Sequence, residues 1–178
     1  MPEEVLEFWF AETDPRQWWS ASAAFDEQIR ARFAATHHRA TLGELSDWRQ
    51  SAGGRLAEII LLDQFSRNLY RHSALAFAQD GMALVLAQEA IAAGAEQALT
   101  AIQRSFLYLP FMHSESPLIH TRAVELYRAN GLPDNYAFEL RHKEIIDRFG
   151  RYPHRNQLLG RISSAEESAF LALPGSHF

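Results

Sequence analysis

Arg55-Leu56-Ala57-Glu58-Ile59-Ile60-Leu61-Leu62-Asp63-Gln64-Phe65-Ser66-Arg67-Asn68-Leu69-Tyr70-Arg71 reads as one helix with two unlike halves. At about 100° per residue, Ile59, Leu61, Leu62, Phe65 and Leu69 share a broad apolar arc, while Asp63, Arg67, Tyr70 and Arg71 share the opposite one with Gln64 beside them. From Leu56 to Leu62 the helix is apolar nearly all round, which is the pattern of a helix with neighbours on every side. Polar residues at the far end of a central helix have two readings. They form a solvated face with an Asp63–Arg67 pair one turn apart, a weak interaction, or they line a pocket.

Outward from this run, the chain supplies helical neighbours. Gly53-Gly54 is expected to break the chain just before it. Pro2 suits a first helical position, with Val5, Leu6, Phe8 and Trp9 as a short apolar face. Ser22 is placed to cap a helix in which Phe25, Ile29 and Phe33 recur every fourth residue. Beyond the central run, Gly94 ends the Ala-rich Gly81–Ala93 segment, and Thr100 with Gln103 forms a capping box for the segment through Leu109. Ser116-Pro117 and Gly131 bracket Leu118–Ala129; Pro133-Asp134 opens a helix that Gly150 closes; Ser163 with Glu166 starts a last short one. Alternating strand patterns and Asn-Gly hairpins are absent. The expected fold is all-α, a compact bundle of antiparallel helical hairpins, because connections this short join antiparallel neighbours. Residues 1–178 fit a single domain, long enough to bury roughly 70% of the surface of its unfolded chain. No repeat of fixed length marks a solenoid.

Composition excludes several functions. The chain has no Cys, so disulfides, thiolate metal sites and Cys nucleophiles are absent and nothing favours an oxidising compartment. Met1-Pro2-Glu3-Glu4 is acidic where a secretory signal is basic, and no apolar run reaches membrane-spanning length. A cytoplasmic protein with no membrane partner is expected. The net charge of −5 argues against a nucleic-acid partner, which calls for an extended basic face.

Positive charge is concentrated in one place. Arg141 to Arg161 holds five Arg and one Lys against Glu144 and Asp147, a local +4 that leaves −9 for the rest of the chain. Within it, Arg148-Phe149-Gly150-Arg151-Tyr152-Pro153-His154-Arg155-Asn156 packs anion-gripping side chains around a Gly and a Pro that tighten the turn. Guanidinium forks match carboxylates and phosphates. Pro153 to Asn156 is expected to form a helical first turn with free N–H groups facing an anion. Just before it, His142 sits in the middle of the apolar stripe of Phe138, Ile145, Ile146 and Phe149, and reads equally as a core histidine or a ligand-contacting one. A third polar patch follows Pro110, which is expected to kink or end its helix. There His113 and Glu115 lie at a helix junction, with Ser114 or Ser116 as the cap.

Familiar catalytic patterns are missing. No Gly-x-Ser-x-Gly elbow makes Ser114 a nucleophile, and there is neither a Walker loop nor a dinucleotide fingerprint nor a His-Glu-x-x-His. A divalent metal on Asp63, His113, Glu115 and His142 is disfavoured by the Arg cluster. No metal and no cofactor are therefore expected.

Leu62-Asp63-Gln64-Phe65-Ser66-Arg67-Asn68-Leu69-Tyr70-Arg71, Tyr108-Leu109-Pro110-Phe111-Met112-His113-Ser114-Glu115, His142 to Asn156 and Leu159-Gly160-Arg161 together resemble the bacterial domain-of-unknown-function family 924. The early Leu6-Glu7-Phe8-Trp9-Phe10 and Phe25-Asp26 fit it too. The resemblance covers essentially the whole chain and implies a tetratricopeptide-like helical fold; it implies no activity. Ser66 stands where that family usually has Pro, and His72 where it often has Gly, so the end of the central helix is expected to differ in shape.

Taken together, these readings point to a polar, Arg- and His-lined site for a small phosphate- or carboxylate-bearing ligand. Its candidate residues are Asp63, Arg67, Asn68, Arg71, His113, Glu115, His142, Arg148, Arg151, His154, Arg155 and Asn156, with His142, Glu115 and His154 as candidate proton carriers. Arg67, Arg148, Arg151 and Arg155 would clamp charge. The competing readings are a protein-interaction module that clamps an acidic or carboxy-terminal peptide and a buried ion network that only fixes helix packing.

Overall fold

Helix follows helix along the computed structural model, which describes residues 1–176, and those residues contain no strand. The elements are α1 (Pro2–Glu7), α2 (Ala23–Thr41), α3 (Ala52–Ile60), α4 (Ser66–Leu69), α5 (Asp80–Ala92), α6 (Ala101–Met112), α7 (Pro117–Asn130), α8 (Pro133–Phe149) and α9 (Ala165–Leu171), with short 3-10 turns between several of them. Most of the expected punctuation is present. The Ser22 hydroxyl accepts from the Phe25 amide, Thr100 and Gln103 form their capping box, and Gly94, Gly131 and Gly150 all follow their helices with positive φ. The last helix starts one residue later than expected, on a Ser164–Glu167 box.

Three local expectations change in the structure. Gly53 and Gly54 do not break the chain; they form the first turn of α3, whose cap is Ser51 accepting from the Gly54 amide at 3.0 Å. Glycine is needed at 54 because a Cβ there would lie 1.9 Å from the Trp48 carbonyl oxygen. Of the kink or end expected at Pro110, the end does not occur, since α6 runs on to Met112. Ser116 occupies the position before α7, yet its side chain makes no capping bond; the Ser114 hydroxyl accepts from the Ser116 amide instead, at 3.2 Å.

The central run is continuous but not uniform. α3 passes into a π-helical turn, Leu61–Phe65, and then into α4. A π turn holds an extra residue, so every later side chain is rotated away from the position a regular helical wheel assigns it. Asp63, Gln64 and Ser66 consequently lie buried together with Leu61, Leu62 and Phe65. The polar arc is buried at Asp63 and Gln64 and half-buried at Arg67, Tyr70 and Arg71.

Around this run the packing is aromatic. Phe8, Trp9, Phe25, Phe33, Phe65 and Phe106 converge, with ring centroids 5.0 Å apart for Phe8–Phe33, 5.1 Å for Phe33–Phe65 and 5.7 Å for Trp9–Phe106. Glu58, buried on α3, is clamped by the Arg49 fork at 2.7 Å for each bond. On the other side α5, α6, α7 and α8 pack each on the next through short connections. No helix among the described residues is long and apolar enough to cross a membrane.

Candidate functional site

The α6–α7 junction, the segment from Ala74 into the start of α5 and the Arg-rich turn after α8 meet at one cleft of about 350 Å³. Phe77, Asp80 and Leu84 form one wall; His113, Ser114 and Glu115 form another; Arg155 and Leu159 close the third. α6 continues through Pro110 to Met112, and His113 at its C-terminal end meets Asp63 of the π turn, fifty positions earlier.

Asp63 lies under this cleft. Its Oδ1 accepts from His113 Nδ1 at 2.7 Å, and its Oδ2 accepts from Gln64 Nε2 at 2.7 Å. Burial pushes the Asp63 carboxyl up, but the Arg67 charge, His113 and the Gln64 hydrogen bond outweigh it and hold it well below the usual carboxylate range. An ionised carboxylate only accepts, so the His113 proton sits on Nδ1. Burial, followed by the Arg67 charge, lowers the His113 pKa against the pull of Asp63, and the imidazole is neutral at pH 7. Its Nε2 has no protein partner among the described residues and faces the cleft as a lone-pair base.

Arg67 donates to the Asp63 carbonyl at 2.8 Å and forks onto Asp80 at 3.0 and 3.1 Å. Asp80 is shared: Arg155 Nη1 also donates to it, at 3.1 Å. The Arg155 guanidinium stacks between the rings of Phe77 and Tyr152, 4.6 and 4.7 Å from their centroids. Although Arg155 is buried, its Nε finds no acceptor among the described residues. Tyr152 in turn is pinned, its amide donating to Glu115 Oε1 at 2.7 Å and its hydroxyl to the Met112 carbonyl. Arg161 forks onto Glu115 at 2.6 and 2.9 Å. Three guanidiniums, Arg67, Arg155 and Arg161, thus face three carboxylates, Asp63, Asp80 and Glu115. The local positive excess seen in the sequence is cancelled by acids from distant segments.

The other candidate residues lie elsewhere. His142 is behind Tyr152, ring centroids 5.7 Å apart, with Nδ1 donating to the Phe138 carbonyl at 2.8 Å; burial pushes its pKa down to about 4. His154 packs on the Tyr152 ring with centroids 5.5 Å apart. Asn68 and Arg71 reach away from the cleft to Asp26 on α2, at 2.8 Å and at 2.6 and 2.7 Å. Arg148 pairs with Glu166 and Arg151 with Glu167, both toward α9. Asn156 is buried, donating to Ser163 at 3.0 Å. Pro153–Arg155 is a three-residue 3-10 turn, too short to present the helical first turn expected for an anion. Asp63, His113, Glu115 and His142 do not assemble into a metal-binding group; none is found among the described residues. The sequence reading did not pick out Asp80, Phe77 or Tyr152 as site residues. Asp80 carries only the signal of an acid in the first turn of a helix, which the helix dipole explains by itself.

A family model of bacterial proteins of unknown function, domain-of-unknown-function family 924, matches residues 5–175. The chain belongs to this family. A solved structure of a protein of unknown function from Agrobacterium tumefaciens is 37% identical, with a TM-score of 0.91 and 96% of each chain covered. No curated protein matches the chain. Both positions that depart from the family's residue pattern are accommodated here. His72 has φ 64°, the left-handed region glycine occupies without strain, so the backbone at that corner keeps a glycine-type conformation. Ser66 fills its place by donating to the Leu62 carbonyl at 2.6 Å and contacting His37 Nε2 at 2.8 Å.

Proposed function

We propose that the cleft binds a small molecule bearing a carboxylate or phosphate group, with Arg155 as its direct contact. The observation that carries this reading is the state of Arg155. A guanidinium offers five N–H donors, yet this buried one has a single hydrogen bond among the described residues, to a carboxylate that Arg67 already holds. Leaving a buried donor unmet costs about 1–3 kcal/mol, and such groups in native proteins call for a reason. An anion in the cleft supplies one. Stacking between Phe77 and Tyr152 fixes the plane of the guanidinium, so a ligand has little side-chain freedom to freeze out. Because the surrounding ion pairs balance, one added negative charge suits the site better than two.

The scaffold reading accounts for different residues. Arg71, Arg148, Arg151 and Arg161 are each forked onto a carboxylate, and they fix helix packing. A peptide clamp remains the second form of the proposal, since the cleft is open and a carboxy terminus offers the same carboxylate. A tetratricopeptide-like reading of the hairpins supports that form, and a cytoplasmic setting, supported by the Cys-free composition, belongs to the same proposal.

A thermal-shift screen of small carboxylates, phosphorylated metabolites, nucleotides, short peptides with free carboxy termini and divalent cations tests it. A ligand at a hundred times its dissociation constant adds about 2.7 kcal/mol. The expected result is stabilisation by a monoanion that is lost in Arg155→Leu. Stabilisation that survives in this variant overturns the assignment, as does a screen with no stabilising anion.

A further inference from the structure

We infer that His113 is the general base of the cleft, taking a proton through Nε2 from a bound water that adds to the acyl carbon of an ester whose own anionic group lies against Arg155. The inference rests on the proposed anion site and adds a reaction to it.

Its basis is a comparison of three histidines, His37, His113 and His120. His120 has both ring nitrogens engaged, Nδ1 with Glu139 at 2.7 Å and Nε2 with the Ser114 carbonyl at 2.8 Å. His37 spends Nε2 on Ser66. His113 alone among these three combines an Nδ1 held by a carboxylate with an Nε2 open to a cleft. Asp63 suits its part because Gln64 donates to its Oδ2 and the Arg67 guanidinium lies 3.4 Å from its Oδ1, which keeps it ionised. It fixes the ring's tautomer and orientation and steadies the imidazolium that forms, as a positioning residue rather than a proton carrier.

Water is the nucleophile the site can supply. The chain has no Cys, no hydroxyl side chain among the described residues is bonded to His113, and the Ser114 hydroxyl is engaged by the Ser116 amide. In the addition step, one O–H bond of water breaks, its proton moves to Nε2, the oxygen bonds to the acyl carbon and the C=O π pair moves onto the carbonyl oxygen, from which it re-forms the C=O bond on collapse. On collapse the bond from carbon to the alcohol oxygen breaks, and the leaving alkoxide takes the proton back from Nε2. An ester and water become a carboxylic acid and an alcohol, with His113 restored and no other reactant needed.

The charged and titratable groups around His113 are Asp63 and Arg67 beneath it, Asp80 from α5, Glu115 on its own segment, Arg155 across the cleft and His142 from α8. Asp63 favours the imidazolium, so Asp63→Asn moves the acid limb of the rate profile to lower pH.

The test uses two activated esters, the monoanionic 4-nitrophenyl hydrogen succinate and the neutral 4-nitrophenyl acetate. Wild type is expected to hydrolyse the succinate with at least a tenfold higher kcat/KM than the acetate. His113→Gln should lower kcat for both by roughly a hundredfold or more, the usual contribution of a general base. Arg155→Leu should raise KM for the succinate alone and remove the preference. Asp63→Asn should lower kcat and shift the acid limb as stated; because this residue is buried, circular dichroism checks its fold, and His113→Gln carries the test if it fails to fold. Turnover of neither ester above that of free imidazole overturns the inference, and so does wild-type kcat in His113→Gln. Loss of turnover in His113→Gln without any succinate preference keeps the base and removes the anion site, so the two readings fail separately.

Discussion

Arg148 and Arg151 on one side of the turn after α8, and Arg155 on the other, have the same side chain and opposite fates. On the outer side, Arg148 and Arg151 are 49% and 31% exposed and each is forked onto a glutamate of α9. On the inner side, Arg155 is 7% exposed, stacked between two rings and under-bonded. A count of arginines therefore locates the turn, and burial separates the arginine proposed to meet an anion from those that do not. The outer pairs act as a solvated clip; the inner guanidinium is held by packing on two rings and has an unmet donor.

The most severe test of the inner network is Asp63→Ala. It leaves Arg67 and His113 facing a buried gap, and urea unfolding should show a loss of roughly 3–5 kcal/mol, the range for breaking a buried ion pair. A loss under about 1 kcal/mol would mean the network is solvated and no different from the outer clip.

Next in size is a pH effect. Burial lowers both His37 and His142 to about 4 from an ordinary value of 6.5. A depressed folded-state value means the unfolded chain binds more protons between those limits, so the stability is complete above about 6.5 and is lost as pH falls toward 4. Each histidine contributes up to about 3 kcal/mol over that window. Urea midpoints at pH 7, 5.5 and 4 should fall in step, and His142→Gln should flatten the slope by about half. An unchanged slope in that variant would remove His142 from the account.

Arg155→Leu sharpens the comparison directly. Binding of the stabilising anion should weaken by about 1.5–3 kcal/mol, the value of a charged hydrogen bond, measured by calorimetric titration. The smallest effect belongs to Arg148→Ala, whose exposed pair should be worth at most about 0.5–1 kcal/mol of stability, with anion affinity unchanged. Lost affinity in Arg148→Ala and retained affinity in Arg155→Leu would exchange the roles of the two sides.

Much of the fold was legible in the chain because caps and stops are local. Thr100–Gln103, Pro117, Gly131 and Gly150 act on backbone groups within a few residues, so their meaning does not depend on what packs around them. Gly54 was misread for the opposite reason: its role is set by the Trp48 carbonyl across a close contact. The π turn misled the helical wheel in the same manner, since a regular wheel assumes a pitch that tertiary packing altered at Leu61–Phe65.

The sequence by itself determined an all-helical chain, the order of its helices, the absence of thiol chemistry and the Arg-rich turn that borders the cleft. Tertiary structure alone decided which charges cancel and which remain in want of a partner. Asp80 reaches Arg67 and Arg155 from thirteen and seventy-five residues away, and Asp63 meets His113 across fifty. Charge balance and burial depend on distances in space, and those are fixed only when the helices close around the π turn.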